Sequence, residues 1–135
     1  MNSAMCFFQR KKKNELEKNP KLYIDTIFRF LEEKGFNKSH RQVNCESWFN
    51  YEKDNFNITI NYERYKELQV WVSVYYKTWD NEPLIKHLYI KDEQYKSLFQ
   101  NYDNLNSKER LDLVADYLSK YIDDVIRANR CGRQY

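Results

Sequence analysis

The stretch from Phe56 to Lys77 reads Phe-Asn-Ile-Thr-Ile-Asn-Tyr-Glu, then Arg-Tyr-Lys-Glu, then Leu-Gln-Val-Trp-Val-Ser-Val-Tyr-Tyr-Lys. On both sides of the short polar link, every second residue is apolar or aromatic, and many of these residues are β-branched. Alternation of this kind is typical of strands with one buried face. Because the link from Arg64 to Glu67 is short, the stretch predicts a β-hairpin. The rest of the chain is expected to extend this hairpin into a sheet or to cover it.

Two further strands are predicted beside the hairpin. Val43 to Lys53 alternates in the same way, which places Cys45 on the inward side, and the following Asp-Asn pair supplies turn residues. Leu84 to Ile90 predicts a fourth strand, at the edge of the sheet. Asn37 to Arg41 is polar and is interpreted as a link. Because strands that are adjacent in sequence usually pair, the four strands are expected to form an antiparallel meander.

Three helices are predicted around the strands. Asn19 followed by proline favours a helix start, and apolar residues then recur at helical spacing as far as Gly35. Gly35 is expected to stop this helix in a left-handed conformation, with Phe36 folded back onto the last turn. Asp92 predicts the cap of a short helix, and Ser107 opens a helix of about five turns.

The fold class that follows is α+β: a four-stranded antiparallel meander sheet with an N-terminal helix and a long C-terminal helix packed on one face. Residues 1–18 are expected to be a flexible basic N-terminal segment. Residues 19–129 are expected to form a single α+β domain, and residues 130–135 a loose C-terminal tail.

Charge and composition narrow the class of protein. The 135 residues carry a formal net charge of +3, yet residues 19–126 hold 15 basic and 18 acidic side chains, a net charge of −3. Such a body does not favour nucleic acid as a partner. No apolar run approaches the roughly 20 residues that span a bilayer, so no membrane association is expected. Cys6, Cys45 and Cys131 are scattered and odd in number, which fits a reducing, cytoplasmic location.

Catalytic, metal and cofactor signals are absent from the sequence. His40 and His87 are the only histidines, and neither lies near a cysteine, so no metal site is expected. The two glycines, Gly35 and Gly132, cannot build a phosphate-binding loop, and no cofactor is expected. Cys45 and His87 are predicted to face opposite sides of the sheet, which leaves no nucleophile–base pair. An enzyme is therefore not expected.

The outward face of the predicted sheet is the candidate binding site, because its residues point away from the covering helices. Large aromatic side chains rimmed by polar groups are typical of a protein interface. The candidate partner-binding residues are Trp48, Trp71, Tyr75, His87, Tyr89, Glu46 and Glu63. Alternatively, a short helix or a loop covers this face and makes its aromatic residues a second, minor core. A homodimer formed through the same face is a third interpretation.

The order of elements resembles the small α+β immunity proteins of bacterial polymorphic-toxin systems. The resemblance covers about Asn19 to Ile126 and rests on a helix that ends in Gly35-Phe36, the meander around Phe56–Glu63 and Leu68–Tyr75, and a long closing helix. It implies a non-enzymatic cytoplasmic protein that neutralises a cognate toxin by binding it. The acidic body suits a basic toxin domain.

The leading functional hypothesis is therefore a protein-binding module of the immunity or antitoxin type. The runner-up is a nucleic-acid-associated accessory protein of a phage or mobile element, which would use the basic tails. A small-ligand-binding domain with a pocket between the sheet and the helices comes third.

Overall fold

The computed structural model describes residues 13–76 and 88–130, with the side chains at positions 75, 76, 129 and 130 excepted. The elements in chain order are α1 (Glu15–Lys18), α2 (Pro20–Ile27), α3 (Arg29–Glu33), β1 (Asn37–Val43), β2 (Glu46–Lys53), β3 (Phe56–Arg64), β4 (Leu68–Tyr76), α4 (Glu93–Gln100), a short 3-10 helix (Tyr102–Asn104) and α5 (Ser107–Arg130). A four-stranded antiparallel sheet, short N-terminal helices and a long C-terminal helix confirm the predicted α+β class.

The four strands form a meander in the order β1-β2-β3-β4. Two-residue turns join the first three strands, because Val43 pairs with Glu46 and Lys53 pairs with Phe56. Asn44 (φ 55°) begins the first turn, and the predicted Asp-Asn pair forms the second, with φ of 50° and 67°. In the second turn both central residues have positive φ, which fits the twist of neighbouring strands, and Asn and Asp tolerate such values.

The segments that form the first and the last strand of the sheet differ from those predicted. Asn37–Val43 is a strand rather than a link, and the predicted strand from Val43 is interrupted by a turn. Cys45 lies in that turn and is exposed, so its predicted inward position was wrong. The predicted fourth strand falls partly outside the described residues, and its described part, residues 88–90, has no strand structure.

One face of the sheet forms the core. The register places Phe49 beside Ile60, and Ile60 beside Val72, and all three side chains are buried. The next row of the same face, Tyr51, Ile58 and Val74, is also buried. The helices contribute their apolar sides to this core: Ile24, Phe28, Leu31, Leu111, Val114, Leu118, Ile122 and Val125. The alternation predicted for β2, β3 and β4 is therefore confirmed.

The first predicted helix is divided in two, because Phe28 leaves the helical conformation (φ −103°, ψ 8°) between α2 and α3. Its predicted end is confirmed. Gly35 has a φ of +90°, its N–H donates to the Glu32 carbonyl (3.0 Å), and the N–H of Phe36 donates to the Leu31 carbonyl (2.9 Å). These two bonds form a Schellman motif, in which the buried Phe36 packs back onto the helix.

The folded part of the chain begins before residue 19. Asn14 caps α1 by accepting from the Glu17 N–H (2.9 Å), and Leu16 on this turn is only 1% exposed. The guanidinium of Arg64, at the end of β3, donates to the backbone carbonyl of Glu17. Residues 14–18 are thus part of the domain, although they were assigned to the flexible basic segment.

The helix α5 is attached to two other helices through tyrosine–aspartate pairs. The hydroxyl of Tyr23 in α2 donates to Asp112, and the hydroxyl of Tyr95 in α4 donates to Asp116 (2.5 Å). Burial raises the pKa of each tyrosine, and the carboxylate that accepts from it raises the pKa further. The helix bends at Tyr121, whose φ of −125° and ψ of 17° are not helical.

Candidate functional site

The outward face of the sheet consists of four cross-strand rows that follow from the register. These rows are Val43, Glu46, Glu63 and Gln69; then Arg41, Trp48, Asn61 and Trp71; then Ser39, Asn50, Thr59 and Ser73; then Asn37, Glu52, Asn57 and position 75. Ile60 and Val72 lie on the opposite, buried face. The predicted separation of the two tryptophans from the core is therefore confirmed.

The second row carries the large aromatic side chains. Trp48 on β2 and Trp71 on β4 are separated by Asn61 on β3. Trp71 is 46% exposed. Trp48 is half-buried because the guanidinium of Arg41 lies over its ring, 4.7 Å from the ring centre. Asn61 is fixed between them, since its side-chain amide donates to the Ser47 carbonyl (3.0 Å). The row presents two indole rings at positions set by the sheet backbone.

Two carboxylates stand opposite each other in the first row. Glu46 on β2 pairs with Glu63 on β3, and neither makes a salt bridge with any residue in ranges 13–76 and 88–130. Like charges on directly opposite residues of a sheet are destabilising. The same row begins with Val43, an apolar side chain that is 48% exposed. This end of the face therefore offers uncompensated negative charge next to exposed apolar surface.

The two remaining rows are polar and partly closed. Thr59 donates from its hydroxyl to the Asn50 side-chain oxygen (3.0 Å), which satisfies both groups within the face. Asn57 is only 1% exposed although its strand position is outward. The outward face is thus open around the tryptophans and covered around Asn57.

Five of the seven predicted site residues have described side chains, and four of these lie together. Trp48, Trp71, Glu46 and Glu63 occupy the first two rows of the outward face. Tyr89 lies in the segment between β4 and α4, which belongs to no strand, and there it lines a cleft with Trp71. His87 and the side chain of Tyr75 lie outside the described residues.

A cleft of about 930 Å³ runs along β4, and we call it the β4 cleft. Side chains from both faces of the strand line it, together with residues of the segment before α4, of α4 itself and of the start of α5. The lining residues are Val70, Trp71, Val72, Ser73, Leu88, Tyr89, Ile90, Lys91, Lys96, Phe99, Gln100, Tyr102, Asp103 and Arg110. Among the described residues, the walls of the cleft are mostly apolar, with three cationic side chains and one carboxylate, and no described histidine or glutamate lines it.

The wall of the β4 cleft opposite the strand is held by buried aromatic residues. Tyr117 is fully buried, and its ring packs edge-on against Phe99, with 5.5 Å between the ring centres. Burial raises the pKa of Tyr117 to about 12. Burial likewise raises the pKa of Tyr102 to about 12, against an opposing effect of the Arg110 charge. Both tyrosines are therefore neutral at physiological pH; Tyr102 lines the cleft, and Tyr117 supports Phe99 from behind.

Sequence reasoning missed two parts of the site. Arg41 stacks on Trp48 only because Asn37–Val43 is a strand, and the polar composition of that segment gave no alternation to detect. The β4 cleft joins residues up to 40 positions apart along the chain, from Val70 to Arg110. The absence of charged residues from β4 was a local signal for the cleft. An edge strand without charged side chains is usually covered by another element or paired with another strand.

The described part of the chain contains neither a cluster of metal ligands nor a membrane-spanning helix. Among residues 13–76 and 88–130, no three potential metal-ligating side chains converge on one point. In the same ranges, no helix combines the length and apolarity required to cross a membrane. Comparison of the chain with known proteins gave no match to a family model, to a curated protein or to a solved structure.

Proposed function

We propose that this protein is a non-enzymatic, cytoplasmic protein-binding module of the immunity type, which neutralises a cognate toxin by direct contact. The row formed by Trp48, Asn61 and Trp71 on the outward face is the observation that carries the proposal. Tryptophan is among the residues that contribute most to binding energy at protein interfaces, because it buries a large area at small entropic cost. Two such rings on a rigid sheet lose little conformational freedom on binding.

The charge on the same face supports a basic partner. Glu46 and Glu63 repel each other in the free protein, and a Lys or Arg from a partner placed between them would relieve that repulsion. The domain body as a whole carries a net negative charge, which would speed the approach of a basic toxin domain. Arg41 would move from its stacked position or add a contact at the rim.

The experiment uses the full chain as bait in the source cell, followed by co-expression with the captured protein. The expected result is a basic protein whose toxicity is suppressed by the wild-type chain. Trp48→Ala is expected to weaken binding by about 30-fold or more, the loss typical of an interface hot spot. Leu22→Ala is a matched control, since Leu22 is an exposed apolar residue on α2, away from the outward face.

Two outcomes would contradict the proposal. If Trp48→Ala binds the captured protein as the wild type does, the tryptophan row is not the interface. If the chain instead binds random nucleic acid with an affinity that falls steeply with salt, the accessory-protein hypothesis replaces it.

A further inference from the structure

β4 ends the sheet on one side. Within the described residues, β3 pairs with one edge of β4 and no strand pairs with the other. Side chains of both faces line the β4 cleft, Val70 and Val72 from the core side and Trp71 and Ser73 from the outward side. Since residues from both faces can meet one cleft only across the edge of the strand, the backbone edge of β4 faces the cleft.

The two edges of the sheet differ in charge. β1, at the other end, carries Lys38 and Arg41, and charged side chains on an edge strand oppose the addition of another strand. β4 extends over nine residues, Leu68–Tyr76, without one charged side chain. A long, uncharged strand rich in valine is the kind of edge to which a further strand adds.

The residues of the opposite wall determine which kind of added strand would bind in the cleft. Leu88, Ile90 and Phe99 supply apolar surface, and the cations come from Lys91, Lys96 and Arg110. Among the described lining residues these cations outnumber the single carboxylate, so the described lining has a net positive charge in a domain whose body is negative.

Lys91 already forms a salt bridge with Asp124 (3.5 Å), so the cations available for a new partner are those of Lys96 and Arg110. Among the described residues Lys96 pairs with Glu93 alone, at 3.4 Å, and both side chains are largely in solvent, where such a pair contributes little. Arg110 donates to the backbone carbonyls of Tyr102 (3.0 Å) and Asp103 (2.8 Å). Its positive charge is therefore fixed at the cleft, and no described carboxylate forms a salt bridge with it.

We propose that the β4 cleft binds an extended acidic segment of a partner protein, which pairs as a fifth strand with the edge of β4 that no described strand occupies. The backbone of the segment would hydrogen-bond to β4, its apolar residues would contact the valine side of the strand, and its carboxylates would lie near Lys96 and Arg110. The cleft shares Trp71 with the tryptophan row, whereas Trp48 does not line it. The inference therefore goes beyond the proposed function, and a change at Trp48 tests the two sites separately.

The test is a titration of the full chain with a labelled peptide of about seven residues, which is roughly 23 Å long when extended. The peptide alternates valine and glutamate. One control peptide replaces each glutamate with lysine, and a second carries N-methyl groups on alternate amides, so that it cannot pair with a strand edge. Fluorescence anisotropy gives the affinities, and amide hydrogen exchange reports protection of β4.

The valine–glutamate peptide is expected to bind and to slow exchange in β4, whereas its N-methylated form is not. The lysine peptide is expected to bind at least about tenfold more weakly, because the cleft is cationic. Lys96→Glu should weaken binding of the acidic peptide about two- to fivefold, the effect of a surface charge pair. Lys18→Glu, a matched charge reversal on α1 outside the cleft, should leave it unchanged.

Independence from the proposed function is checked with Trp48→Ala, which leaves the cleft lining intact and is expected to bind the peptide normally. The inference is overturned if the acidic peptide does not bind, or if its N-methylated form binds equally well. It is also overturned if decanoate, a small apolar acid, binds the cleft while the peptide does not, since the cleft would then be a small-ligand pocket.

Discussion

The hydroxyl of Tyr117 accepts a hydrogen bond from the backbone N–H of Lys91 at 2.9 Å, and it donates to the carbonyl of Tyr89 at 2.8 Å. One buried side chain on α5 therefore satisfies two backbone groups in a segment that has no regular secondary structure of its own. This is the contact that fixes the wall of the β4 cleft against the long helix.

Replacement of this residue, Tyr117→Phe, should lower the free energy of unfolding by about 1–3 kcal/mol, because both backbone groups lose a partner while the ring remains. Urea denaturation measures the loss, and hydrogen exchange at the Lys91 amide should become faster. Tyr102→Phe is the matched control, since the Tyr102 hydroxyl makes no hydrogen bond within the described ranges, and it should change stability little. Equal stability of the two variants would refute the bridging role.

Stability should fall at alkaline pH. Burial raises the pKa values of Tyr102 and Tyr117 to about 12 in the folded protein, against 10.0 for an ordinary tyrosine. Between these values the unfolded chain has lost protons that the folded chain retains. The contribution is therefore complete below about pH 10 and is lost as the pH rises towards 12.

Thermal unfolding followed from pH 8 to pH 11.5 checks this prediction, with tyrosinate absorbance recorded in parallel. Tyr102→Phe should reduce the alkaline loss while leaving stability at pH 8 nearly unchanged. A midpoint that stays constant from pH 10 to 11.5 would show that the two hydroxyls are not protected by burial.

The helical turn α1 should contribute to stability. Leu16→Ala removes a buried side chain and is expected to cost about 2–5 kcal/mol. Leu22→Ala makes the same chemical change at a position that is 59% exposed, and it should cost less than about 1 kcal/mol. Chemical denaturation of the two variants separates these cases. Similar midpoints would mean that residues 14–18 are not part of the folded domain.

The Glu46–Glu63 pair should lower the stability of the free protein and strengthen the binding of a basic partner. Glu63→Gln removes the repulsion across the strands and is expected to stabilise the protein by roughly 0.2–1 kcal/mol. The same change should weaken a basic partner, mainly by slowing association at low salt. Glu33→Gln, an exposed site on α3, is the control and should change neither quantity. A destabilised Glu63→Gln variant would mean that this carboxylate has a favourable partner.

Position 35, which follows α3 in the left-handed conformation, should require glycine for full stability. Gly35→Ala places a β-carbon 3.7 Å from the flexible end of Lys53, which is an ordinary contact, so its cost comes from the φ of +90°. A loss of about 1–2 kcal/mol is expected in urea denaturation. Gly35→Asn should lose less, because Asn tolerates positive φ better than Ala does.

Much of the fold could be predicted because alternation and capping are local signals. β2, β3 and β4 each bury one face, so period two was visible, and Gly35 marked a helix end with its own conformational preference. β1 has polar side chains and lies at the sheet edge with almost every residue exposed, so it showed no pattern. Cys45 was misplaced because the turn at Asn44 reverses the chain without glycine or proline to mark it.

Only the part of the candidate site that follows from the pairing of the strands could be predicted from the sequence. Trp48 and Trp71 share a face because both follow the alternation of paired strands. The β4 cleft depends on where α4, α5 and Tyr117 place the segment from Leu88 to Lys91, and these contacts join residues far apart in sequence. Side-chain stacking such as that of Arg41 on Trp48 likewise depends on a pairing that the polar sequence of β1 did not signal.

The unequal charge of the two sheet edges limits how copies of this protein can assemble. An edge that carries Lys38 and Arg41 rejects the uncharged β4 of a neighbouring molecule, so open-ended ribbons built from β4 to β1 contacts are disfavoured. A contact of β4 with β4 is instead two-fold symmetric and closes on itself after two molecules. The charges on β1 thus oppose the growth of long assemblies through contacts between sheet edges, even where newly synthesised chains are highly concentrated.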